Sequence, residues 1–312
     1  MKKIAVMFPG QGSQGVGMGE ELYEQYPEIQ KLYKQANEVL GFDITHLMFS
    51  GPEDELTETE HAQPALLLSS MATYSLLEQE NVKPTVVVGH SLGEYSALVA
   101  ANSLTLKTAL PLVQTRGKLM EEAFPKGQGS MAAVLGLTEE EIQRALHKLP
   151  GSYIVDLANI NCPGQIVISG EVEGLERAES ILIDAGARRV IRLNVSGPFH
   201  SRLMEAANND FEAYVNQIQF QDADIPVYAN VSAEPVTDHE SIKRLLLKQL
   251  YSPVKFEQAI RNIIQEGVDA LVEVGHGRVL SGLVRKIDRS VKTFSIQDVK
   301  SLHKFLEWYK EE

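Results

Sequence analysis

The chain has 312 residues, 44% of them hydrophobic, and a formal net charge of −13. That is enough apolar material for one large domain with a smaller insertion, or for two domains, while the negative balance excludes a general nucleic-acid binder and leaves room only for local basic patches. A single cysteine, Cys162, excludes an internal disulfide, and no stretch has the apolar length of a membrane span or the layout of a signal peptide, so a cytoplasmic protein without membrane association is expected.

The first element is a short apolar run, Ile4–Phe8, that reads as a buried strand and leads into GQGSQG, Gly10 to Gly15. This is G-x-G-x-x-G after a strand, the spacing of a dinucleotide-binding loop. Such a fold also needs a second strand about twenty residues on, ending in Asp or Glu to hold a ribose. Here the following segment, Leu22–Leu40, has helical spacing and is divided by Pro27, a residue suited to starting a helix. A nucleotide site is therefore not expected. Two readings of the loop remain: a plain strand–helix turn, or a glycine-permitted turn whose N–H groups and Gln11 side chain point at a negative charge.

A helical pattern at Ala65–Gln79 and a β-branched run at Thr85–Val88 come next. The run ends in GHSLG, Gly89 to Gly93, and helical spacing resumes through Tyr95, Leu98 and Val99. Strand, sharp G-x-S-x-G turn and helix together are the signature of a nucleophile elbow. Glycines flank the serine because a Cβ there would clash, Ser91 Oγ stands above the sheet, and the Leu92 N–H at the helix start faces any oxyanion formed at that serine. The alternative is a glycine-rich turn holding a capping serine. A helix is predicted over Leu106–Ala123, with Pro111 inside it removing a hydrogen bond. From spacing alone, Arg116 reads as an arginine on the surface of that helix.

From about Gly129 the rhythm changes to strand (Ser130–Leu135), helix (Glu139–Leu149), strand (Tyr153–Leu157), strand (Gln165–Ser169), helix (Val172–Ala185) and strand (Ala187–Leu193), with NCPGQ turning between the middle strands. The order βαββαβ is that of a ferredoxin-like unit. It is expected as a small domain, 128–195, inserted into a large α/β domain formed by 1–127 and 196–312. The remaining runs, Ile225–Tyr228, Ile242–Leu250, Val254–Ile264, Ala270–Val274 and Thr293–Ile296, return to strands and helices of a parallel sheet covered on both faces.

A serine hydroxyl is a weak nucleophile until a base takes its proton, and histidine has the pKa for that task. His46, His61, His147, His239 and His303 lie in polar contexts that read as solvated surface. His90 adjoins the serine inside the elbow, with its side chain expected to point away from Oγ. His276 follows a strand and could line a cleft. His200, in NVSGPFHSRLM, stands where the small domain returns to the large one, a natural cleft wall. Pattern alone favours His200 over His276, and either could be a structural histidine.

The motifs FPGQGSQ (8–14), AQPALL (62–67), GHSLGEYSALVAA (89–101), RGKLM (116–120), NCPGQIVISG (161–170), VSGPFH (195–200), QLYSPVKF (249–256) and EVGHGRVLSGL (273–283) span nearly the whole chain. Through them the chain resembles the malonyl-CoA:acyl-carrier-protein transacylases of fatty acid synthesis, bacterial single-chain type. The resemblance implies a hydrolase-like α/β core with a parallel sheet and an inserted ferredoxin-like α+β small domain, with the active site in the gap between them. It implies transfer of the malonyl group from malonyl-CoA to the phosphopantetheine thiol of acyl carrier protein, through a malonyl-serine. Ser91 would be the nucleophile, His200 its base, and Gln249 would orient the base with its main-chain carbonyl in place of a triad acid. Gln11 and Leu92 would supply oxyanion-hole N–H groups, and Arg116 would bind the malonyl carboxylate. Gln63, Asn159 and Asn161 fall near the acyl pocket and can equally be read as turn-stabilising amides. Phe199 matches the aromatic of malonyl-selective members and can equally be core packing.

No metal and no cofactor of its own is implied, since coenzyme A and phosphopantetheine arrive with the substrates, and a monomer is expected. Many relatives have proline where this chain has His276. Carrier docking to an acidic protein needs a local positive patch, for which Arg188, Arg189 and Arg192, or Arg285, Lys286 and Arg289, are candidates; either cluster can also be a solvated face. The competing readings are a malonyl transferase serving a polyketide synthase, a serine thioesterase or esterase, and a non-catalytic carrier-binding subunit. The esterase order, with an acid between the serine and a histidine near the C-terminus, fits His200 poorly.

Overall fold

Every side chain of Ile4–Phe8 (β1) is buried, which requires cover on both faces of the sheet that holds it. In the computed structural model, which describes residues 2–311, β1 is followed by α1 (Glu20–Gln25), α2 (Pro27–Leu40), α3 (Ile44–Ser50), α4 (Glu53–Thr57) and α5 (Thr59–Gln79). Then come β2 (Val86–Gly89), α6 (Gly93–Ala100) and α7 (Leu106–Glu122). The next segment holds β3 (Gly129–Leu135), α8 (Glu139–Leu146), β4 (Val155–Cys162), β5 (Gln165–Glu171), α9 (Val172–Asp184) and β6 (Arg189–Arg192). After a 3₁₀ turn at Arg202–Ala207, the chain forms α10 (Asn208–Val215), β7 (Val227–Tyr228), β8 (Pro235–Val236), α11 (His239–Gln249), α12 (Phe256–Gln265), β9 (Ala270–Val274), α13 (Val279–Ile287), β10 (Lys292–Ile296) and α14 (Val299–Lys310).

The first sheet has the order β10-β9-β1-β2-β7-β8 and is parallel except for β8. Side chains alternate across its two faces, as strand geometry demands. Ile4, Val6 and Phe8 join one apolar cluster with Val87, Val272 and the helices of the N-terminal half. Ala5 and Met7 join the opposite cluster with Val86, Val88, Leu271, α12 and α13. The predicted α/β class with a parallel sheet is therefore the fold observed.

The second sheet, β4-β5-β3-β6, is antiparallel throughout and has its own core of Ala132, Val134, Ile142, Ile168, Leu175 and Leu182. It puts the four strands of the βαββαβ unit in the order second, third, first, fourth, the ferredoxin-like arrangement, and it occupies residues 129–192, inside the predicted span. Two backbone bonds tie it to the large sheet's side: Val254 N–H to the Ala158 carbonyl (2.8 Å) and Ile160 N–H to the Val254 carbonyl (2.9 Å).

Two elements differ from the sequence reading, and a third carries its proline as expected. Strand β4 runs to Cys162 rather than stopping at Leu157, because register shifts at Leu157/Asn159 and Ile160/Cys162 let it continue where the alternation breaks. Ala158 and Asn159, at the first shift, are both buried. Helix α5 begins at Thr59 rather than at Ala65, and carries Pro64 inside its first turns. Helix α7 begins at Leu106 as predicted and carries Pro111 through its first half, leaving the Lys107 carbonyl without its usual donor.

The register pairs Phe8 with Gly89, so the loops leaving β1 and β2 emerge side by side at the carboxyl edge of the sheet. They cross at contact distance. A Cβ on Gly93 would lie 2.0 Å from the Phe8 carbonyl oxygen, one on Gly89 would lie 1.8 Å from the Gly93 carbonyl carbon, and one on Gly10 would lie 2.3 Å from the His90 oxygen. All three obstacles are backbone, which cannot rotate away. Gly93→Ala is thus expected to lower the melting temperature by several degrees, whereas Gly282→Ala, on an exposed face of α13 with open space around it, is expected to stabilise by about 0.5–1 kcal/mol. Thermal denaturation of the two variants checks both.

Candidate active site

The tight turn after β2 forces Ser91 into a left-handed conformation (φ 52°) and leaves its hydroxyl at the mouth of a cleft of about 490 Å³. Larger hollows exist, one of about 840 Å³ beside Cys162, but the serine and its base share this one. His200 Nε2 lies 2.8 Å from Ser91 Oγ. His200 is itself at φ 59° and is buried in the segment leading back from β6.

The other imidazole nitrogen, Nδ1, is 2.8 Å from the main-chain oxygen of Gln249. Gln249 ends α11, and the last carbonyls of a helix have no donor within the helix. That oxygen is free to accept Nδ1–H, which fixes the tautomer and turns the Nε2 lone pair toward the serine. Burial first, and the positive charge of Arg116 second, push the His200 pKa down to about 3, so the ring is neutral and ready to accept a proton. His276 does not compete for this position: it is half-buried against Gly15. His90 turns aside, with Nε2 2.7 Å from Asn161 Oδ1.

Arg116 corrects the spacing-based reading of a surface residue. It is 1% exposed. One Nη donates to Gln63 Oε1 (2.7 Å), and the other to Gln249 Oε1 (2.9 Å) and Ser91 Oγ (3.2 Å). Its Nε has no partner among the described residues, and the guanidinium carbon sits 5.3 Å from the centre of the Tyr95 ring. A buried cation without a carboxylate partner is costly, and burial lowers its pKa. An anion entering beside Ser91 would relieve that cost.

The remaining predicted residues divide by what they touch. The Gln11 side chain does not aim at the serine: its Nε2 donates to Thr59 Oγ1 (3.2 Å). The backbone N–H groups of Gln11 and Leu92 meet no protein acceptor among the described residues. Asn159 and Phe199 line the cleft. Asn159 and Asn161 lie within β4, not in a turn, and Gln63 lies within α5. Of the basic clusters, Arg188 and Arg189 are exposed at the start of β6, whose far end leads to the cleft-lining Leu193 and Asn194, and Arg192 donates to the Val172 carbonyl (3.1 Å). Lys286 reaches Gln165 across the seam between the sheets (2.9 Å), and Arg285 bonds Thr293 (3.1 Å).

Two buried residues escaped the sequence reading. Asn230 sits just beyond β7; its Oδ1 accepts the Ser91 N–H (2.8 Å) and its Nδ2 donates to the Gly89 carbonyl (2.7 Å), clamping the elbow from behind. Glu94 accepts the Asn230 N–H (3.0 Å) and a Gln249 Nε2–H (2.8 Å). A polar residue just past the carboxyl end of a buried strand, and a lone carboxylate inside the apolar run GEYSALVAA, were the available signals.

A neutral histidine on a serine, free N–H groups beside it and a buried cation at the same point define a serine enzyme that carries an acyl group. The chain belongs to the acyl transferase domain family, whose model matches residues 6–304. It is 47% identical to the malonyl CoA-acyl carrier protein transacylase of Bacillus subtilis over 100% of this chain and 99% of that one. Among solved structures it is similar to an acyl carrier protein S-malonyltransferase from Vibrio cholerae (41% identity, TM-score 0.95, 97% and 99% covered). It is equally similar to a malonyl-transacylase in complex with a type II PKS acyl-carrier protein (41% identity, TM-score 0.95, 98% and 99% covered).

Removing the Asn230 side chain would leave two buried backbone groups of the elbow unpaired, each worth about 1–3 kcal/mol. Asn230→Ala is expected to lower the denaturation midpoint in urea and to slow acyl uptake, whereas Asn208→Ala, whose Oδ1 already lacks a partner, should change the midpoint little.

Proposed function

We propose that the protein transfers the malonyl group of malonyl-CoA to the phosphopantetheine thiol of an acyl carrier protein. The observation that carries this reading is the buried Arg116 guanidinium 3.2 Å from the nucleophile, and the names of the full-length relatives support it. The free carboxylate of malonyl can take paired, charge-assisted hydrogen bonds from the guanidinium. That fixes the thioester carbonyl over Ser91.

In the first half-reaction His200 Nε2 takes the Ser91 proton as Oγ attacks the thioester carbonyl. The oxyanion is held by the Gln11 and Leu92 N–H groups, and collapse expels coenzyme A, which takes the proton from His200. A malonyl ester remains on Ser91. The carrier thiol then enters, gives its proton to His200 and attacks the ester. Collapse returns that proton to Ser91 and releases malonyl-carrier protein. A carboxylate paired with Arg116 offsets the positive charge that disfavours imidazolium, so the base strengthens when the correct acyl group is seated. The carbonyl at the α11 terminus, the negative end of the helix dipole, further steadies the imidazolium.

The same reading places the enzyme in the cytoplasm as a monomer needing no metal or redox cofactor; no helix among the described residues is long and apolar enough to cross a membrane. The carrier's docking surface is assigned to Arg188, Arg189 and Arg192, because β6 leads directly into the cleft-lining Leu193–Val195. Lys286 is already engaged across the seam. One structural relative is a complex with a type II PKS carrier, so a polyketide carrier is the second reading for the acceptor.

Intact-protein mass spectrometry after mixing with malonyl-CoA is expected to show a malonyl adduct that is absent in Ser91→Ala and discharged by carrier protein; a wild type that takes no adduct would falsify the assignment. Acetyl-CoA should label the wild type roughly a hundredfold more slowly, the scale of leaving a buried charge unpaired, and Arg116→Ala should erase that preference. Arg189→Glu should raise KM for the carrier while leaving hydrolysis of malonyl-CoA unchanged. Fatty acid and polyketide carriers compared as acceptors separate the two readings.

A further inference from the structure

Behind the serine lies a carboxylate that the reaction above does not use. Glu94, in the first turn of α6, is 3% exposed, and its Oε2 accepts the Gln249 Nε2–H at 2.8 Å and the Asn230 N–H at 3.0 Å. The same Gln249 Nε2 is 3.0 Å from the Ser91 carbonyl, and Gln249 Oε1 accepts from Arg116 at 2.9 Å. Its main-chain oxygen accepts from His200. One glutamine therefore touches the nucleophile's backbone, the base and the cation.

An amide has a donating end and an accepting end. With a carboxylate at one side and a guanidinium at the other, only one orientation satisfies both. Reversal would set N–H against N–H at Arg116 and oxygen against oxygen at Glu94. A neutral amide in place of the carboxylate could donate as well as accept, so the orientation would rest on Arg116 and on the Ser91 and Asn230 oxygens alone, without the charge-assisted bond that is the strongest of the set.

We propose that Glu94 is a positioning residue for acyl transfer: its carboxylate locks the Gln249 amide, and through Gln249 it aims Arg116 at the acyl carboxylate and holds the carbonyl that orients His200. This deepens the transacylase reading and rests on it. The role requires the ionised form, and burial, partly offset by the two N–H donors and by Arg116, pushes the Glu94 pKa up to about 7. The lock therefore tightens as pH rises through neutrality. The charged and titratable groups around Glu94 are Arg116 from α7, Tyr95 on its own helix and His200 across Gln249. Strands β1 and β2 bring no ionisable side chain, α5 brings Gln63 to Arg116, and Tyr228 on β7 gives its hydroxyl to Glu266.

The test is single-turnover acylation of Ser91 by saturating malonyl-CoA, read by quench and intact mass over a range of about pH 5.5 to 8.5, in the wild type and in Glu94→Gln. In the wild type the rate should climb as pH rises through about 7. Glu94→Gln should lack that climb and fall roughly tenfold to a hundredfold below the wild type at the alkaline end, the scale of one charge-assisted hydrogen bond, with a melting temperature close to the wild type's. A climb that persists unchanged in Glu94→Gln belongs to another group and overturns the proposal, as does a variant rate within about twofold of the wild type. If Glu94→Gln does not fold, the infrared band of a protonated buried carboxyl in the wild type decides: it should titrate with the midpoint of the acylation rate, and a different midpoint or a flat rate overturns the role. A wild type that is never acylated ends the transacylase reading itself; a labelled wild type with an indifferent Glu94→Gln ends only the role given to Glu94.

Discussion

The carbonyl oxygen of Phe8 occupies the space that a side chain on Gly93 would need. Because the loops after β1 and β2 cross with no Cβ between them, the Gln11 and Leu92 N–H groups sit on two adjacent backbones, each held by a strand of the same sheet. A methyl group on Gly10 or Gly93 would push the two loops apart. Gly10 of GQGSQG and the two glycines of GHSLG are thus parts of one crossing.

A second economy concerns the base. A histidine in a serine hydrolase is commonly oriented by a buried carboxylate. Here the partner is the unpaired carbonyl at the end of α11, a neutral dipole. The nearest buried carboxyl on that side is Glu94, separated from His200 by Gln249. Arg116 is buried on the same glutamine without a carboxylate partner of its own among the described residues, and the proposed reaction has the acyl carboxylate fill that place.

Much of the frame could be read directly from the residues. Strand β1 follows from an uninterrupted apolar run, the ferredoxin-like unit from its alternating periods, and the elbow from glycines placed between strand and helix. What resisted reading depends on tertiary contact. Arg116 has the spacing of a surface residue, because helical periodicity cannot reveal that Gln63 and Gln249 come from elements about 53 and 133 residues away to cover it. Asn230 and Glu94 act on backbone atoms brought near only by sheet order. The bulges of β4, which turn Asn159 into the cleft, break the alternation that sequence reasoning relies on.

The pair of backbone bonds between Val254 and the bulged stretch of β4 has a further consequence. Val254 lies five residues beyond Gln249, so the wall of the cleft at Asn159 and the carbonyl that accepts from His200 are joined by a short piece of main chain. A chimera that exchanges residues 129–192 for the corresponding unit of a relative replaces one half of that joint and keeps the other. For such a graft to retain the recipient's chemistry, the segment from Gln249 to Val254 must travel with the donor unit: the modular boundary of this protein lies around that joint rather than at the ends of the inserted sheet.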